Sequence, residues 1–217
     1  MDLVGIEMEV LSISIPKVFV PSEEDAVRIS RTLNYAYTTD CRMAERMNAK
    51  VTTYHLEMNR SEDLKPKEAH IDGMRVERVC IPSPELNRFF YVTVGQRSQW
   101  IDRLVWSEKD WINWAKRDEL QTWVLYVKGA PAGYFELEFQ DGNVEIAFFG
   151  LLPRFIGLGL GGHLLTEAIS RAWQMGATRV WVHTCTLDHP NALANYQARG
   201  LRIYREETHI QEVSGRA

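Results

Sequence analysis

The chain has few cysteines, no excess of positive charge and no repeated or low-complexity segment, and each absence excludes a class of protein. Three cysteines in 217 residues, without close pairs, cannot form the framework of a disulfide-stapled domain, so we expect free thiols in a reducing compartment. The net charge of −4 and the pI of about 5.9 argue against partners that are nucleic acids or anionic membranes. These features favour a soluble, cytoplasmic, globular protein.

The chain also shows no targeting signal and no convincing membrane span. Its N-terminus lacks the basic region and the small-residue cleavage site of a signal peptide. The stretch 146–165 is twenty residues long with only Arg154 and His163 clearly polar, which superficially resembles a membrane helix. Pro153 and the glycines that follow it would interrupt such a helix, so we expect a strand, a turn and a buried helix there.

What the chain does contain is a dense glycine turn between an apolar, strand-like segment (144–152) and a periodic helix (162–175). Four glycines fall within six residues: Gly157, Gly159, Gly161 and Gly162. Glycine lets a backbone approach a ligand closely, and a helix N-terminus offers unpaired N–H groups and a positive dipole end. The turn is therefore predicted to bind phosphate, as in a cofactor that carries a pyrophosphate.

Periodicity and turn signals predict an accessory N-terminal arm, residues 1–48, followed by one domain, residues 49–217. The arm contains a short strand pattern at 11–15 and a helix pattern at 26–35. In the domain, an antiparallel meander precedes a helix, a strand, a helix and a strand, which makes an α/β fold with a mixed sheet. The predicted strands are 51–58, 75–81, 121–127, 134–140, 144–150, 179–185 and 201–206, and the predicted helices are 84–95, 107–117, 162–175 and 191–199.

Two patterns in this order resemble the GCN5-related N-acetyltransferase superfamily. The first is a proline followed by alternating glycines and a Leu-Leu pair, matched here by residues 153–165. The second, Asn-x-x-Ala-x-Tyr-x-x-x-Gly, is similar to Asn191, Ala194, Tyr196 and Gly200. The resemblance covers residues 120–206 well. It implies a GNAT-like acyl-CoA N-acyltransferase fold, acetyl-CoA as co-substrate and no metal.

The resemblance further implies which groups bind acetyl-CoA. Two registers of the central motif fit, one beginning at Arg154 and one at Ile156, and the second keeps the usual distance to the Leu-Leu pair. The implied binding groups come from three places. They are the main chain of the turn (Gly157, Leu158, Gly159, Leu160, Gly161 and Gly162), the two residues before Pro153 (Leu151 and Leu152) and the side chain of Asn191 on the last helix. An N–H of Leu151 or Leu152 would polarise the acetyl oxygen.

The resemblance also implies an acid and a base. Tyr196 lies where the family often has the acid that protonates the leaving thiolate, and a phenol suits that task. The family often carries its base on the strand of Glu145. If Asp141 and Gly142 form a two-residue hairpin turn, Glu138 pairs with Glu145, and two close carboxylates raise one pKa toward neutrality.

Some assignments stay open at this point. The base is Glu136, Glu138 or Glu145, unless these are ordinary surface acids; Tyr134, Ala147 and Phe149 are expected on the same sheet face. His183 could relay a proton or touch the substrate, or it could be a packed, hydrogen-bonded histidine. Cys185 could act as a nucleophile, although no activating cation lies near it in sequence. Together with His183 and His189, it lacks the fourth ligand of a metal site.

A dinucleotide-binding fold is the rival interpretation of the glycine turn, since Gly157-x-Gly159-x-x-Gly162 matches its fingerprint. About fifty residues remain after the turn, too few for a doubly wound sheet, and the first acidic residue after the next strand, Asp188, comes later than expected. We therefore predict an N-acetyltransferase that moves acetyl from acetyl-CoA to a primary amine by direct attack. The alternative is a non-catalytic acyl-CoA-binding sensor on the same fold.

The acceptor is expected to be a small-molecule or peptide amine. Residues 97–106, between two predicted helices, mix aromatic and charged side chains, and aromatic walls with Asp102 would suit a cationic amine. An equally good interpretation is a loop that caps the core. The sequence does not decide the acceptor, the acyl length or whether the protein forms a homodimer.

Overall fold

The computed structural model describes residues 46–96, 98 and 100–214. The strand and helix predicted at 11–15 and 26–35 lie outside these residues. Asn48–Val213 form one compact unit. The boundary after residue 48 stays a prediction.

Seven strands of the described residues form one mixed sheet. They are β1 (Arg46–Met58), β2 (Met74–Arg78), β3 (Leu120–Val127), β4 (Ala130–Gln140), β5 (Asn143–Leu151), β6 (Arg179–Cys185) and β7 (Arg202–Ser214). Their order in the sheet is β2-β3-β4-β5-β6-β1-β7. Of the pairings with a described register, only β5 with β6 is parallel. This confirms the predicted α/β fold with a mixed sheet and rules out the doubly wound parallel sheet of the dinucleotide folds.

Four α-helices of the described residues cover the sheet: α1 (Pro84–Gly95), α2 (Glu108–Ala115), α3 (Leu160–Gln174) and α4 (Ala192–Ala198). Local signals set several of their ends. Ser107 and Asp110 form the reciprocal capping box expected at the start of α2. Gly176, with φ of 86°, follows the end of α3 as predicted. No helix in the described part of the chain combines the length and apolar character needed to cross a membrane.

The first strand of the described chain lies inside the sheet, between the last two. Residues 53–58 of β1 pair antiparallel with β6, from Thr53 opposite Cys185 to Met58 opposite Val180. β7 pairs on the other side of β1 and continues well past residue 206, where we expected it to end. A hydrogen bond of 2.9 Å between the hydroxyls of Thr52 and Thr208 lies in this additional part.

The hairpin between β4 and β5 has the predicted two-residue turn. Asp141 and Gly142 have φ values of 48° and 85°, as in the turns that suit the twist of paired strands. Gln140 lies opposite Asn143, and Glu138 lies opposite Glu145. The predicted cross-strand pair of carboxylates is therefore confirmed.

Farther along this hairpin, a β-bulge changes which side chains share a face. Glu136 lies opposite Phe148, and the register shift leaves Ala147 as the extra residue of β5. Phe148 consequently lies on the face of Glu136, and the expectation that Phe149 would lie there is wrong. Phe149 lies on the other face, where its ring is 6.0 Å from that of Tyr196.

The two faces of the sheet bury different layers. On one face α3 contributes the fully buried side chains of Leu164, Leu165, Ala168 and Ile169 to the main core. On the other face the Phe90 ring of α1 stacks on Tyr134 of β4, with ring centroids 4.7 Å apart. Helices therefore pack on both faces of the central strands, and the candidate site opens between two of these strands.

Candidate active site

The candidate site lies in a gap between β5 and β6. These strands pair only from Asn143 opposite Arg179 to Glu145 opposite Trp181, and beyond Glu145 they have no common ladder. A cavity of about 1000 Å³ opens at this divergence. Residues of β5, β6, α4 and the glycine turn line it together.

The backbone of β5 supplies polar groups to this gap. The Leu152 N–H donates to Ala132 O at 2.9 Å, toward β4. Because polar groups alternate in direction along an antiparallel strand, those of Leu151 point away from β4, into the gap. The sequence suggested both leucines as contacts for the cofactor, but the Leu152 N–H is already used within the sheet. Leu151 is thus the better candidate to polarise an acyl oxygen.

The glycine turn connects the end of β5 to α3. Gly157 and Gly159 have left-handed φ values of 86° and 76°, and a Cβ at either position would meet no atom within 4 Å. Conformation, rather than space, therefore requires glycine at both. Gly159 is the N-cap of α3, so Leu160, Gly161 and Gly162 form the first turn of the helix, where N–H groups have no partner within the helix.

The two leucines of the turn can contribute only main-chain groups. Leu160 is fully buried in the core, and α3 begins with it, two residues before the predicted start. The Leu158 side chain is exposed. The turn therefore offers a run of N–H groups and little side-chain chemistry, which suits a phosphate.

Cationic side chains that the sequence analysis missed pack against this turn. A Cβ on Gly162 would lie 2.5 Å from Arg199 Nη1 and 2.7 Å from Lys67 Cδ. Arg199 Nε is buried without a hydrogen-bond partner among the described residues. Asn195 connects α4 to the turn by donating from Nδ2 to Gly161 O at 3.2 Å. No local signal identified Lys67, since it lies in the β1–β2 connection.

Two residues predicted from the resemblance come from α4 and the turn before it. Asn191 is the exposed N-cap of α4, its side chain makes no capping bond, and it lines the cavity. Tyr196 is buried at the cavity wall, and no described residue hydrogen-bonds its hydroxyl. Burial, with a smaller contribution from the negative charge of Asp188, raises the pKa of Tyr196. The phenol is therefore protonated at neutral pH, as a general acid must be.

Each of the two cross-strand carboxylates at the cavity has its own partner. Glu138 accepts a hydrogen bond from Arg117 Nη1 at 2.6 Å. Glu145 Oε2 accepts from Gln140 Nε2 at 3.0 Å, and Glu145 Oε1 lies 3.2 Å from His183 Nδ1. The pair is thus two separately partnered groups rather than two acids that share one proton.

Glu136, the third candidate base, is buried on the side of α1 and α2 and does not line the cavity. Its carboxylate accepts hydrogen bonds from Asn87 Nδ2 at 2.8 Å and Trp114 Nε1 at 2.7 Å. Burial raises the pKa of Glu136, although these donors oppose the shift. This raised pKa reflects a structural position, so the geometry favours Glu145 as the carboxylate of the site.

On β6, the hydrogen bond with Glu145 is the main cause that raises the pKa of His183, against the opposing effect of burial. Burial also raises the pKa of the Cys185 thiol, which disfavours the thiolate that a nucleophile requires. Within the described residues, no three His, Cys, Asp or Glu side chains are grouped so as to hold a metal ion.

Part of the aromatic cluster around residues 97–106 surrounds a cation of the chain itself. The guanidinium carbon of Arg103 lies 3.6 Å from the ring centroid of Trp114 and 4.3 Å from those of Trp106 and Phe148. Asp102 does line the cavity beside them. Trp106 is therefore already engaged by a cation of the chain, whereas Trp100 of the same segment lines the cavity.

Comparison with known proteins agrees with this geometry. Three solved structures with similar folds are a GCN5-related N-acetyltransferase from Kribbella flavida (16% identity, TM-score 0.55, covering 88% of this chain and 77% of that one), one from Sphaerobacter thermophilus (14%, 0.58, 89% and 58%) and a tandem GNAT protein of the clavulanic acid biosynthesis pathway (14%, 0.53, 84% and 60%). At such identities the likeness shows the fold alone. No curated protein is detectably similar in sequence.

The sequence profile of the acetyltransferase (GNAT) family matches residues 85–201. This range extends from the first turn of α1 to Leu201, three residues past the end of α4, and so includes the glycine turn, the gap and the buried tyrosine. With the mixed sheet and the β5–β6 gap, the match places the chain in the acetyltransferase (GNAT) family.

Proposed function

We propose that the protein transfers an acetyl group from acetyl-CoA to a primary amine of a small-molecule or peptide acceptor. The observation that carries the proposal is one continuous cavity. It joins the first turn of α3 to the β5–β6 gap and is lined by both Glu145 and Tyr196. Membership of a family of acyltransferases supports transfer in general. The cavity supports acetyl transfer in particular, because it places a phosphate-binding helix end at one part and the two candidate catalytic side chains at another, as a long thioester needs.

The residues fit a diphosphate at one end of this cavity. First-turn N–H groups of α3, with Arg199 and Lys67 beside them, provide donors and positive charge. The buried, unpartnered Nε of Arg199 is a donor that a phosphate oxygen would satisfy. From there the chain of the co-substrate would run along β5, with Leu151 and Asn191 as its polar contacts.

The chemistry then requires three proton transfers. The acceptor ammonium loses one proton to the base formed by Glu145 and His183, and its nitrogen lone pair attacks the thioester carbonyl carbon. As the C–N bond forms and the C–S bond breaks, Tyr196 donates its proton to the departing thiolate. Tyr196 recovers a proton from the substituted nitrogen. The products are the amide, free CoA thiol and one proton held by the base.

Calorimetry with acetyl-CoA, followed by thiol-release assays with a panel of amines, tests this function. We expect saturable binding of acetyl-CoA and release of CoA thiol only when an acceptor amine is present. Absence of saturable binding would refute the proposal. Binding without thiol release, across a panel of amino acids, polyamines, aminoglycosides and peptides, would support an acyl-CoA-binding sensor instead.

A further inference from the structure

We propose that Nε2 of His183 is the atom that accepts the proton from the acceptor amine, and that Glu145 positions and polarises this imidazole. This inference rests on the proposed acetyl transfer and assigns roles within its base. It reverses the expectation that the carboxylate itself takes the proton.

The strand geometry brings the two side chains together. Glu145 is the last residue of β5 that pairs with β6, and it lies opposite Trp181. His183 follows Trp181 by two residues on β6, so its side chain lies on the same face of the sheet as that of Glu145. His183 Nδ1 lies 3.2 Å from Glu145 Oε1. A carboxylate only accepts hydrogen bonds, so Nδ1 carries the hydrogen of the neutral ring. The basic lone pair is therefore on Nε2, which no described residue hydrogen-bonds.

Accessibility separates the two groups further. The Glu145 side chain is 11% exposed, and each of its oxygens has a partner, Gln140 or His183. The His183 side chain is 52% exposed and lines the cavity. An amine that enters the cavity thus meets a free imidazole nitrogen, whereas the carboxylate is engaged behind it. This is the arrangement in which a carboxylate fixes the tautomer of a catalytic histidine.

The charges around His183 favour a proton on its ring. The hydrogen bond with Glu145 contributes most, and Asp188, which follows β6, adds negative charge. His55 of β1 lies directly opposite in the sheet, with ring centroids 6.0 Å apart, and Glu207 of β7 is 3.6 Å from His55 Nε2. Glu145 and Asp188 raise the pKa of His183 above its ordinary value, and burial opposes part of this shift. The base form therefore grows as pH rises through that raised pKa.

A proton leaves the acceptor ammonium for Nε2, and the N–H electron pair becomes the lone pair that attacks the thioester. The resulting imidazolium pairs with the Glu145 carboxylate. After transfer, the half-exposed ring returns its proton to water, and the site is ready for the next ammonium ion.

Two kinds of measurement test this assignment: the pH dependence of kcat/KM, and titration of the histidine rings by NMR without substrate. In the wild type, we expect the acidic limb of the rate profile to have the pKa that NMR gives for His183. Glu145→Gln should lower both values together, since it removes the carboxylate. His183→Gln should abolish this limb and lower kcat by about 100-fold, with the dissociation constant of acetyl-CoA unchanged.

His70→Gln is the matched control. His70 Nε2 lies 3.5 Å from Glu68, but both side chains are exposed and neither lines the cavity. This variant should leave the profile unchanged. An acidic limb that survives in His183→Gln, or a rate pKa that differs from the NMR value of His183 in the wild type, would overturn the assignment. Failure of acetyl-CoA to bind would instead refute the proposed function, because the NMR titration does not depend on it.

Discussion

Three glutamates of one hairpin have the same chemistry and three different environments. Glu136 is buried between donors from two helices, Glu138 pairs with Arg117, and Glu145 borders the gap with His183. Alternation along the strands correctly predicted that Glu138 lies opposite Glu145. It could not predict the partners, because these come from residues distant in sequence. At this scale, the contacts of a side chain decide its role, rather than its position on the strand.

Glu136→Gln should destabilise the protein by about 2 kcal/mol, because a buried donor would then be left unpaired. Both oxygens of Glu136 accept from donors, Asn87 and Trp114, and a glutamine offers only one oxygen. Urea unfolding measures the change. Glu77→Gln, in an exposed pair with Arg75, is the control and should change the free energy of unfolding by less than about 0.5 kcal/mol.

The pH dependence of this stability has a defined sign. The folded-state pKa of Glu136 is raised, so the folded protein keeps this proton to higher pH than the unfolded chain. Its contribution to stability is complete below the unfolded pKa and is lost as pH rises through the folded one. The difference between wild type and Glu136→Gln should shrink over this range. Equal stability of the two proteins at every pH would contradict the structural role.

Tyr196→Phe should lower kcat by about 100-fold and leave the dissociation constant of acetyl-CoA unchanged. The reason is that the hydroxyl has no hydrogen-bond partner among the described residues, so its loss removes the proton donor and little else. Thiol release and calorimetry measure the two quantities. Tyr126→Phe, on β3 and away from the cavity, should match the wild type. Undiminished turnover in Tyr196→Phe would remove this residue from the mechanism.

At the scale of elements, signals that act over a few residues were sufficient to predict most helices and strands. The bounds of α1 and β6, the capping box of α2 and the two-residue hairpin are all confirmed. The bulge at Ala147 was missed, since it depends on how β5 packs in the sheet. Lys67 and Arg199 were missed because only the tertiary fold brings the β1–β2 connection and the end of α4 to the glycine turn.

Gly159→Ala should separate the conformational role of the turn from ordinary stability. The residue has φ of 76° and open space around it, so alanine would cost about 1–2 kcal/mol from backbone strain. Gly129→Ala is matched, with φ of 84°, open space and a position in the β3–β4 turn. Both variants should lose similar stability in thermal unfolding. Only Gly159→Ala should weaken acetyl-CoA binding. Each loss of about 1.4 kcal/mol in binding free energy raises the dissociation constant about tenfold.

Equal acetyl-CoA affinities in the two variants would show that the shape of the turn at Gly159 does not matter for binding. If both variants bound acetyl-CoA more weakly, lost stability alone would explain the effect. Either result would remove the glycine turn from its place as the anchor of the diphosphate.

At the scale of the whole molecule, the gap depends on a strand from outside the motifs of the family resemblance. β6 pairs with β5 only as far as Trp181, whereas on its other edge β1 pairs with it from Val180 to Cys185. The open side of β5 and the fixed position of His183 thus both rely on β1. Sequence order gave no indication of this, because β1 is separated from β6 by more than a hundred residues.

Truncation tests this dependence. Removal of residues 1–45 keeps all of β1 and the compact unit Asn48–Val213, so we expect the shortened protein to unfold cooperatively and to bind acetyl-CoA with wild-type affinity. Removal of residues 1–58 deletes β1 and leaves β6 unpaired beyond Trp181, so we expect loss of cooperative unfolding. Circular dichroism melting and calorimetry compare the two. A stable, acetyl-CoA-binding product of the longer deletion would show that β1 does not hold the gap, whereas an unfolded product of the shorter one would place the domain boundary before residue 46.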